Sequence, residues 1–308
     1  MIERNSSSPL RIYQVLVPKL FRPDKAPFRY PSYARDWGVE QDFPKFLQSS
    51  HFLTNDLHEA THLFLPIYWT RYWVQNNYAK DGHGPLNEFL NSLELDESKV
   101  FTICQYDDGP LVDFHFGKGI YLSSRQTPDI GRDIPLLATS LPQYGFKKKK
   151  KKYLMSFAGR YETHPLRMEL RDVSTNRESV FLAKRNLNAR QFTSLIHQSL
   201  VVLSPRGYGG SSFRFFEAMQ VGSVPCLIGD VDTRPFKSQI QWDQISLYFK
   251  TPLEAITAIE SMDSKVLERM GVAAADVYHR LLKLGKWNQL LINDLHLQGD
   301  KLSPINNM

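Results

Sequence analysis

Apolar residues in this chain come in short unbroken runs separated by polar stretches that carry Gly and Pro, and not in strict alternation. Lys99-Val-Phe-Thr-Ile-Cys104 and Ser199-Leu-Val-Val-Leu-Ser204 are the clearest, joined by Tyr153–Ala158, Val180–Ala183 and Val224–Ile228. Such runs suit strands buried on both faces, as in a parallel sheet. Between them lie stretches of helical spacing, Pro165–Val173, Ala189–Ser199 and Ser212–Val221, followed by Pro252–Met262 and Ser264–Leu284. Strand and helix alternating at this interval predict βαβ units.

The first half has a looser rhythm. Arg11–Val17 reads as a strand stopped by Pro18, and Asp42–Leu53 as a helix running into a short strand. Leu63-Phe-Leu-Pro-Ile-Tyr-Trp69 is a continuous apolar run expected to form one buried strand. A helix is expected over Pro85–Leu95, and strands at Ile120–Ser123 and Pro135–Ala138. Lys147–Lys152 is a run of like charges, predicted to be a solvated loop because such charges repel and cannot pack. It divides the chain into a Rossmann-like domain over 1–146, a junction at 147–152, a second domain over 153–275, and a helical segment over 276–308 that can pack back on the first.

Composition narrows the class. The length of 308 residues suits two domains, and 42% hydrophobic with 23% charged residues is the mix of a globular protein. The net charge of +6 is matched by the lysine run, so the remainder is near neutral and offers no basic groove for nucleic acid. Cys104 and Cys226 sit in apolar runs without disulfide or metal spacing, which points to a reducing compartment. The polar N-terminus and the lack of any apolar run near the ~20 residues of a membrane span predict no transmembrane segment and a cytoplasmic chain.

The densest chemistry lies in Leu203-Ser-Pro-Arg-Gly-Tyr-Gly-Gly-Ser-Ser-Phe-Arg-Phe-Phe-Glu-Ala-Met. A buried strand ends at Ser204 and a helix begins at Ser211 or Ser212, so unpaired backbone N–H groups and a partial positive charge are expected there, as a phosphate requires. Gly207, Gly209 and Gly210 allow close approach of the backbone, with Tyr208 between them, while Arg206 and Arg214 can supply charge-assisted bonds. Arg160, after the strand ending at Ala158, joins them. Glu217, in the second turn of the helix, can accept the two hydroxyls of a ribose.

These residues carry a resemblance. Ser204-Pro-Arg-Gly, Ser212-Phe-Arg, Glu217-Ala and Gly222-Ser-Val-Pro, then Asp230 and Pro235-Phe236, resemble the exostosin-like glycosyltransferases, glycosyltransferase family 47. Phe157-Ala-Gly159, Arg167 and Glu59-Ala60 with Leu63–Trp69 are similar to further segments of that family. The resemblance implies a GT-B architecture, two Rossmann-like domains facing across a cleft, with a UDP-sugar donor on the second and inversion at the anomeric carbon. It implies no cofactor and no metal, and a glycan acceptor on the first domain; oligomeric state is left open. A Gly-Arg-Asp-His segment of the family is not recognisable here, and Gln105-Tyr-Asp-Asp-Gly-Pro110 stands near its place.

An inverting transfer needs a base for the acceptor hydroxyl. Asp107 and Asp108 follow a buried strand at its carboxyl end and are the candidates, although Asp-Asp-Gly-Pro is also good turn chemistry. Asp113, His115 and Asp56 come after them. Asp230-Val-Asp232 resembles a metal-binding Asp-x-Asp, but its place argues for a strand-end turn. The rival readings are an inactive carbohydrate-binding protein of the same fold and a nucleic-acid binder using the lysines.

Overall fold

The computed structural model describes residues 9–27, 38–138, 150–183 and 187–300. Two sheets organise the chain. The first contains β1 (Ile12–Gln14), β2 (Leu53–Thr54), β3 (His62–Phe64), β4 (Val100–Cys104), β5 (Gly119–Leu122) and β6 (Arg132–Asp133), in the order β2-β1-β3-β4-β5-β6. The second contains β7 (Tyr153–Phe157), β8 (Val180–Leu182), β9 (Ser199–Pro205), β10 (Val224–Ile228) and β11 (Leu247–Phe249), in the order β11-β10-β9-β7-β8. Every pairing is parallel. Both sheets share one winding, with the first strand between the second and third and later strands added outward from the third. That reversal opens a crevice at the carboxyl ends of the first and third strands, where open α/β sheets hold ligands. The expected α/β class with two Rossmann-like units in a GT-B arrangement is what the chain adopts.

The elements follow from local chemistry. All five residues of β4 and all five of β10 are buried, as continuous apolar runs in a parallel sheet should be. The helices are α1 (Val39–Gln48), α2 (Trp69–Gln75), α3 (His83–Asn91), α4 (Pro165–Val173), α5 (Ala189–His197), α6 (Phe213–Gln220), α7 (Pro252–Glu260), α8 (Ser264–Val277) and α9 (Asn288–Asp300). Asn188 with Gln191 and Thr251 with Glu254 form reciprocal capping boxes on α5 and α7, satisfying N–H groups that a helix start leaves unpaired. Among the described residues no helix is long and apolar enough to cross a membrane.

Several expectations are corrected. Leu63–Trp69 is not one strand: the ladder ends as Leu65 N–H donates to Phe101 O, Pro66 has no N–H to continue it, and Trp69 opens α2. Pro135–Ala138 forms no strand, because the ladder ends where Ile134 N–H donates to Leu122 O; the two-residue β6 precedes it instead. The helix expected to reach Leu284 changes pitch at Tyr278–Leu282, a π turn. Of the lysine run only Lys150–Lys152 fall within the described residues. Lys151 is not simply solvated: its ammonium donates to Ser199 O and Ser223 Oγ, each at 2.8 Å.

One hydrophobic cluster crosses from sheet to sheet, holding Phe43, Phe64 and Phe101 together with Phe215, Phe216 and Trp287. The C-terminal helices carry it. Asp42 Oδ2 in α1 accepts from Gly285 N (2.7 Å), Trp287 Nε1 (2.9 Å) and Asn288 Nδ2 (2.9 Å). Tyr121 OH and Arg132 Nη1 both donate to Asp294 in α9, at 2.8 and 3.2 Å. Hydrogen bonds to a charged acceptor are worth more than neutral ones. Asp42→Ala is therefore expected to lower stability by about 2–3 kcal/mol. Urea unfolding checks this; a midpoint equal to wild type would mean that the clamp adds nothing.

Candidate active site

The loop from β9 to α6 is held from below. Arg167 on α4 is buried, and its guanidinium donates to Pro205 O (3.3 and 3.2 Å), Arg206 O (3.0 Å) and Arg160 O (3.1 Å). It thus pins the ends of β9 and β7, which flank the crevice of the second sheet. Arg206 is buried, pairs with the exposed carboxylate of Asp230, and reaches Gln126 O at 3.4 Å. Its Nε is buried without a hydrogen-bond partner.

The first unit meets this loop directly. Gly210 N donates to Arg125 O at 3.1 Å and Ser211 N to Ser124 Oγ at 3.2 Å. A Cβ on Gly209 would overlap Ser124 Oγ, Ser124 O and Asp107 Oδ1, and one on Gly210 would overlap Arg125 O. The expectation of unpaired N–H groups is therefore corrected at Gly210 and Ser211. The glycines admit a close backbone approach, but what approaches is the turn Ser124–Gln126 after β5. Sequence reading missed that turn; the Ile120–Ser123 strand was visible, but nothing in it showed what its end would face.

Asp107 and Asp108 differ in setting. Asp107 is half-buried with its carboxylate against Gly209 and Ser124. Burial pushes its carboxyl up to about 6, the Ser124 hydroxyl and the Arg206 charge pull it down, and Asp108 adds to the rise. Asp108 is exposed and accepts from Gln126 Nε2. A buried carboxylate anchors their turn: Glu40 accepts from Gln105 N (2.8 Å), Thr70 N (3.0 Å) and Thr70 Oγ1 (2.9 Å), and burial pushes it up to about 7. Glu40 was not singled out from sequence. Asp113, His115 and Asp56 are exposed, and Asp56 serves a turn by accepting from His58 N at 2.8 Å.

The remaining predicted residues spread over the same face. Arg214 donates to Ala158 O and Ser212 Oγ and lies over the Phe157 ring at 5.5 Å. Gly159 is part of that fit, since a Cβ there would stand 2.5 Å from Arg214 Nη2. Ser212 is the N-cap of α6 without a side-chain cap bond, Gly207 packs on Arg167, and Arg160 and Tyr208 are exposed. Glu217 is buried, and none of the described residues gives its carboxylate a hydrogen bond or ion pair; burial alone pushes it up to about 8. Asp230 and Asp232 are engaged by cations, the first by Arg206 and the second by Arg234 (2.9 Å) and Lys237 (3.1 Å). Cys104 and Cys226 are buried free thiols.

Several known proteins are similar to this chain. Residues 123–262, from the end of β5 through α7, match the family described as Exostosin GT47 domain. Exostosin-1 homolog of Caenorhabditis elegans is 24% identical over 289 residues, 77% of this chain and 74% of that protein. Exostosin-1 of Drosophila melanogaster is 28% identical over 121 residues, 32% of this chain and only 16% of the fly protein. A probable glucuronosyltransferase of Oryza sativa subsp. japonica is 29% identical over 146 residues, 47% of this chain and 32% of that protein. Among solved structures, that of TarM aligns with a TM-score of 0.38 and 11% identity, covering 71% of this chain and 58% of that one. The resemblance read from Ser204–Phe236 is borne out by the Exostosin GT47 match, which contains that stretch.

Glu217 makes a signed prediction. Its carboxyl rises from an unfolded value of 4.5 to about 8 on folding. The unfolded chain therefore loses the proton first, and stability falls as pH rises from near 4.5 to near 8. Glu217→Gln should flatten this fall and make the chain more stable than wild type at pH 8 by a few kcal/mol, because each tenfold change in proton affinity is worth about 1.4 kcal/mol. Urea melts at pH 5, 6, 7 and 8 measure it; parallel curves for the two proteins would show that burial does not disfavour the charge.

Proposed function

We propose that this chain is an inverting glycosyltransferase, moving a sugar from a UDP-sugar held on the second unit to a glycan hydroxyl presented by the first. The observation that carries the reading is the meeting of the Arg206 loop with the Asp107 turn, at the carboxyl ends of both sheets. Exostosin-type proteins among the relatives, and the rice protein described as a probable glucuronosyltransferase, support the class.

Roles follow from position. Glu217 offers a carboxyl group that none of the described residues bonds; protonated at neutral pH while burial alone acts on it, it can both accept from and donate to the hydroxyls of a ribose. Arg206, with an unpartnered Nε, takes the charge of the leaving diphosphate, and Arg214 adds to it from the base of α6. Asp107 is favoured over Asp108 as the base. A carboxyl near 6 is a stronger base than an ordinary aspartate, yet is ionised at neutral pH. The acceptor oxygen attacks the anomeric carbon, Asp107 takes its proton, and the bond to the β-phosphate oxygen breaks. Asp230 and Asp232 already neutralise arginine and lysine, which favours charge stabilisation by side chains over a metal.

A non-catalytic binding protein of the same fold is the second reading. What favours it is that Gly210 and Ser211 spend their N–H groups on the first unit. Incubation with UDP-xylose, UDP-glucuronate, UDP-galactose and UDP-GlcNAc separates the two, since slow release of free UDP from any of them requires an enzyme. Glu217→Ala should abolish UDP binding in calorimetry with the fold intact, and unchanged affinity removes Glu217 from the site.

Asp107→Asn should leave UDP binding intact and cut transfer by on the order of 10²–10⁴. Wild-type turnover should rise with pH up to about 6 and then level, since the base must be ionised. A profile without that limb, or a variant of near wild-type rate, rejects Asp107. Activity should also persist in EDTA; loss with chelator and return with manganese would bring Asp230 and Asp232 back as ligands.

A further inference from the structure

Two buried arginines of the second unit have every guanidinium nitrogen bonded. In Arg167, Nε and Nη2 donate to Pro205 O and Nη1 to Arg160 O. In Arg234, Nε and Nη2 donate to the Asp232 carboxylate and Nη1 to Asp243. Arg206 is as deeply buried, yet among the described residues only its Nη1 is bonded, to Asp230 Oδ1 and Gln126 O. Nε has no partner, and the described residues give none to Nη2. A buried cation with unmet donors is costly, and Nε with Nη2 forms an edge on which a guanidinium takes two oxygens of one anion.

The end of β10 is built around this side chain. Arg206 N donates to Ile228 O at 2.9 Å. A Cβ on Gly229 would stand 3.3 Å from Arg206 Cδ, so the arginine stem lies across the glycine. Asp230, next in the chain, meets the guanidinium. Three successive residues thus hold the backbone, the stem and the head of one arginine, while Arg167 Nε holds Arg206 O at 3.0 Å. Burial acts to raise the Asp230 carboxyl, but the hydrogen bond and charge of Arg206 outweigh it and keep the group below its ordinary value, hence ionised at neutral pH. Asp230 and Arg206 belong to the same unit, whereas Gln126 belongs to the other. The Asp230 contact is therefore the one that stays with Arg206 if the two units part.

We infer that Asp230 is a positioning residue for the donor: it takes Nη1 of Arg206 and so sets the Nε–Nη2 edge for two oxygens of the diphosphate. This rests on the transferase reading and deepens it. The charge of an aspartate beside an anion site opposes the ligand. What Asp230 supplies in return is aim. A guanidinium fork held at one nitrogen cannot rotate away, so less ordering is left to be done when the ligand arrives.

Titration calorimetry of the full chain in EDTA, with UDP, inorganic pyrophosphate and uridine, tests this. Asp230→Asn keeps an oxygen for Nη1 and should bind UDP and pyrophosphate near wild type. Asp230→Ala removes the contact and should weaken both by roughly tenfold or more, the usual effect of losing a hydrogen bond to a charged group. Uridine, which has no phosphate, should bind Asp230→Ala as it binds wild type; a merely structural aspartate would weaken uridine along with UDP. The assignment is overturned if Asp230→Ala binds UDP and pyrophosphate as wild type does, if Asp230→Asn is as weak as Asp230→Ala, or if both variants bind tighter than wild type. It is equally overturned if uridine weakens in step with UDP, or if wild type binds neither UDP nor pyrophosphate. Pyrophosphate binding that depends on Asp230 in the expected way, with UDP bound no tighter and uridine not at all, would keep the assignment and reject the nucleotide site.

Discussion

Gly209 and Gly210 lie so close to Ser124, Arg125 and Asp107 that no side chain fits between. Almost everything about the cleft depends on that contact. It brings the carboxyl ends of two parallel sheets face to face, so that groups from β4 and β5 stand against groups from β9 and β10. It helps to bury the carboxyl of Asp107, which is pushed up by that burial, while Asp108, one residue away, is exposed. The two bonds made by Gly210 and Ser211 also mean that the loops separate only by exchanging partners.

Burial sets the electrostatics of both faces. Glu40, Asp107 and Glu217 all rise, and in each burial is the largest cause. They nevertheless do different work. Glu40 is satisfied by Thr70 and Gln105 and so fixes the end of β4, whereas none of the described residues bonds the carboxyl of Glu217. A satisfied buried carboxylate is a fastener; an unsatisfied one is costly unless a ligand completes it. The same distinction separates Arg167, spent on backbone carbonyls beneath the loop, from Arg206, whose Nε is idle.

Beneath the cleft the halves are joined by a core that runs without a break from Phe43 and Phe101 to Phe215 and Trp287. The clamp of Asp42 on Gly285, Trp287 and Asn288 draws the last helices onto the first unit. The polar contacts between the loops are thus set above a continuous apolar floor that holds the two sheets in register.

Much of this was legible in the chain. The runs Val100–Cys104, Ser199–Ser204 and Val224–Ile228 declare parallel strands because burial on both faces demands unbroken apolar residues, and Ser204–Phe236 shows its resemblance because several short motifs follow one another there at fixed spacing. Local chemistry also marks helix ends at Asn188 and Thr251. What the chain alone misplaced involved partners distant in sequence. Leu63–Trp69 reads as one strand until Pro66 is seen to leave the ladder, and Pro135–Ala138 as a strand until the ladder is seen to end at Ile134, with only the Ser123 hydroxyl bonding Pro135 O beyond it. Lys151 reads as solvated until Ser199 and Ser223 are seen beside it. Above all, sequence identified the glycine loop but assigned its N–H groups to a ligand; only tertiary structure set Ser124 and Arg125 against two of them. A residue's type and its near neighbours determine its conformation and its capacity to bond. Which partner meets that capacity is decided by segments distant in the chain, 87 residues apart for Ser124 and Ser211, and nothing in the local sequence encodes their approach.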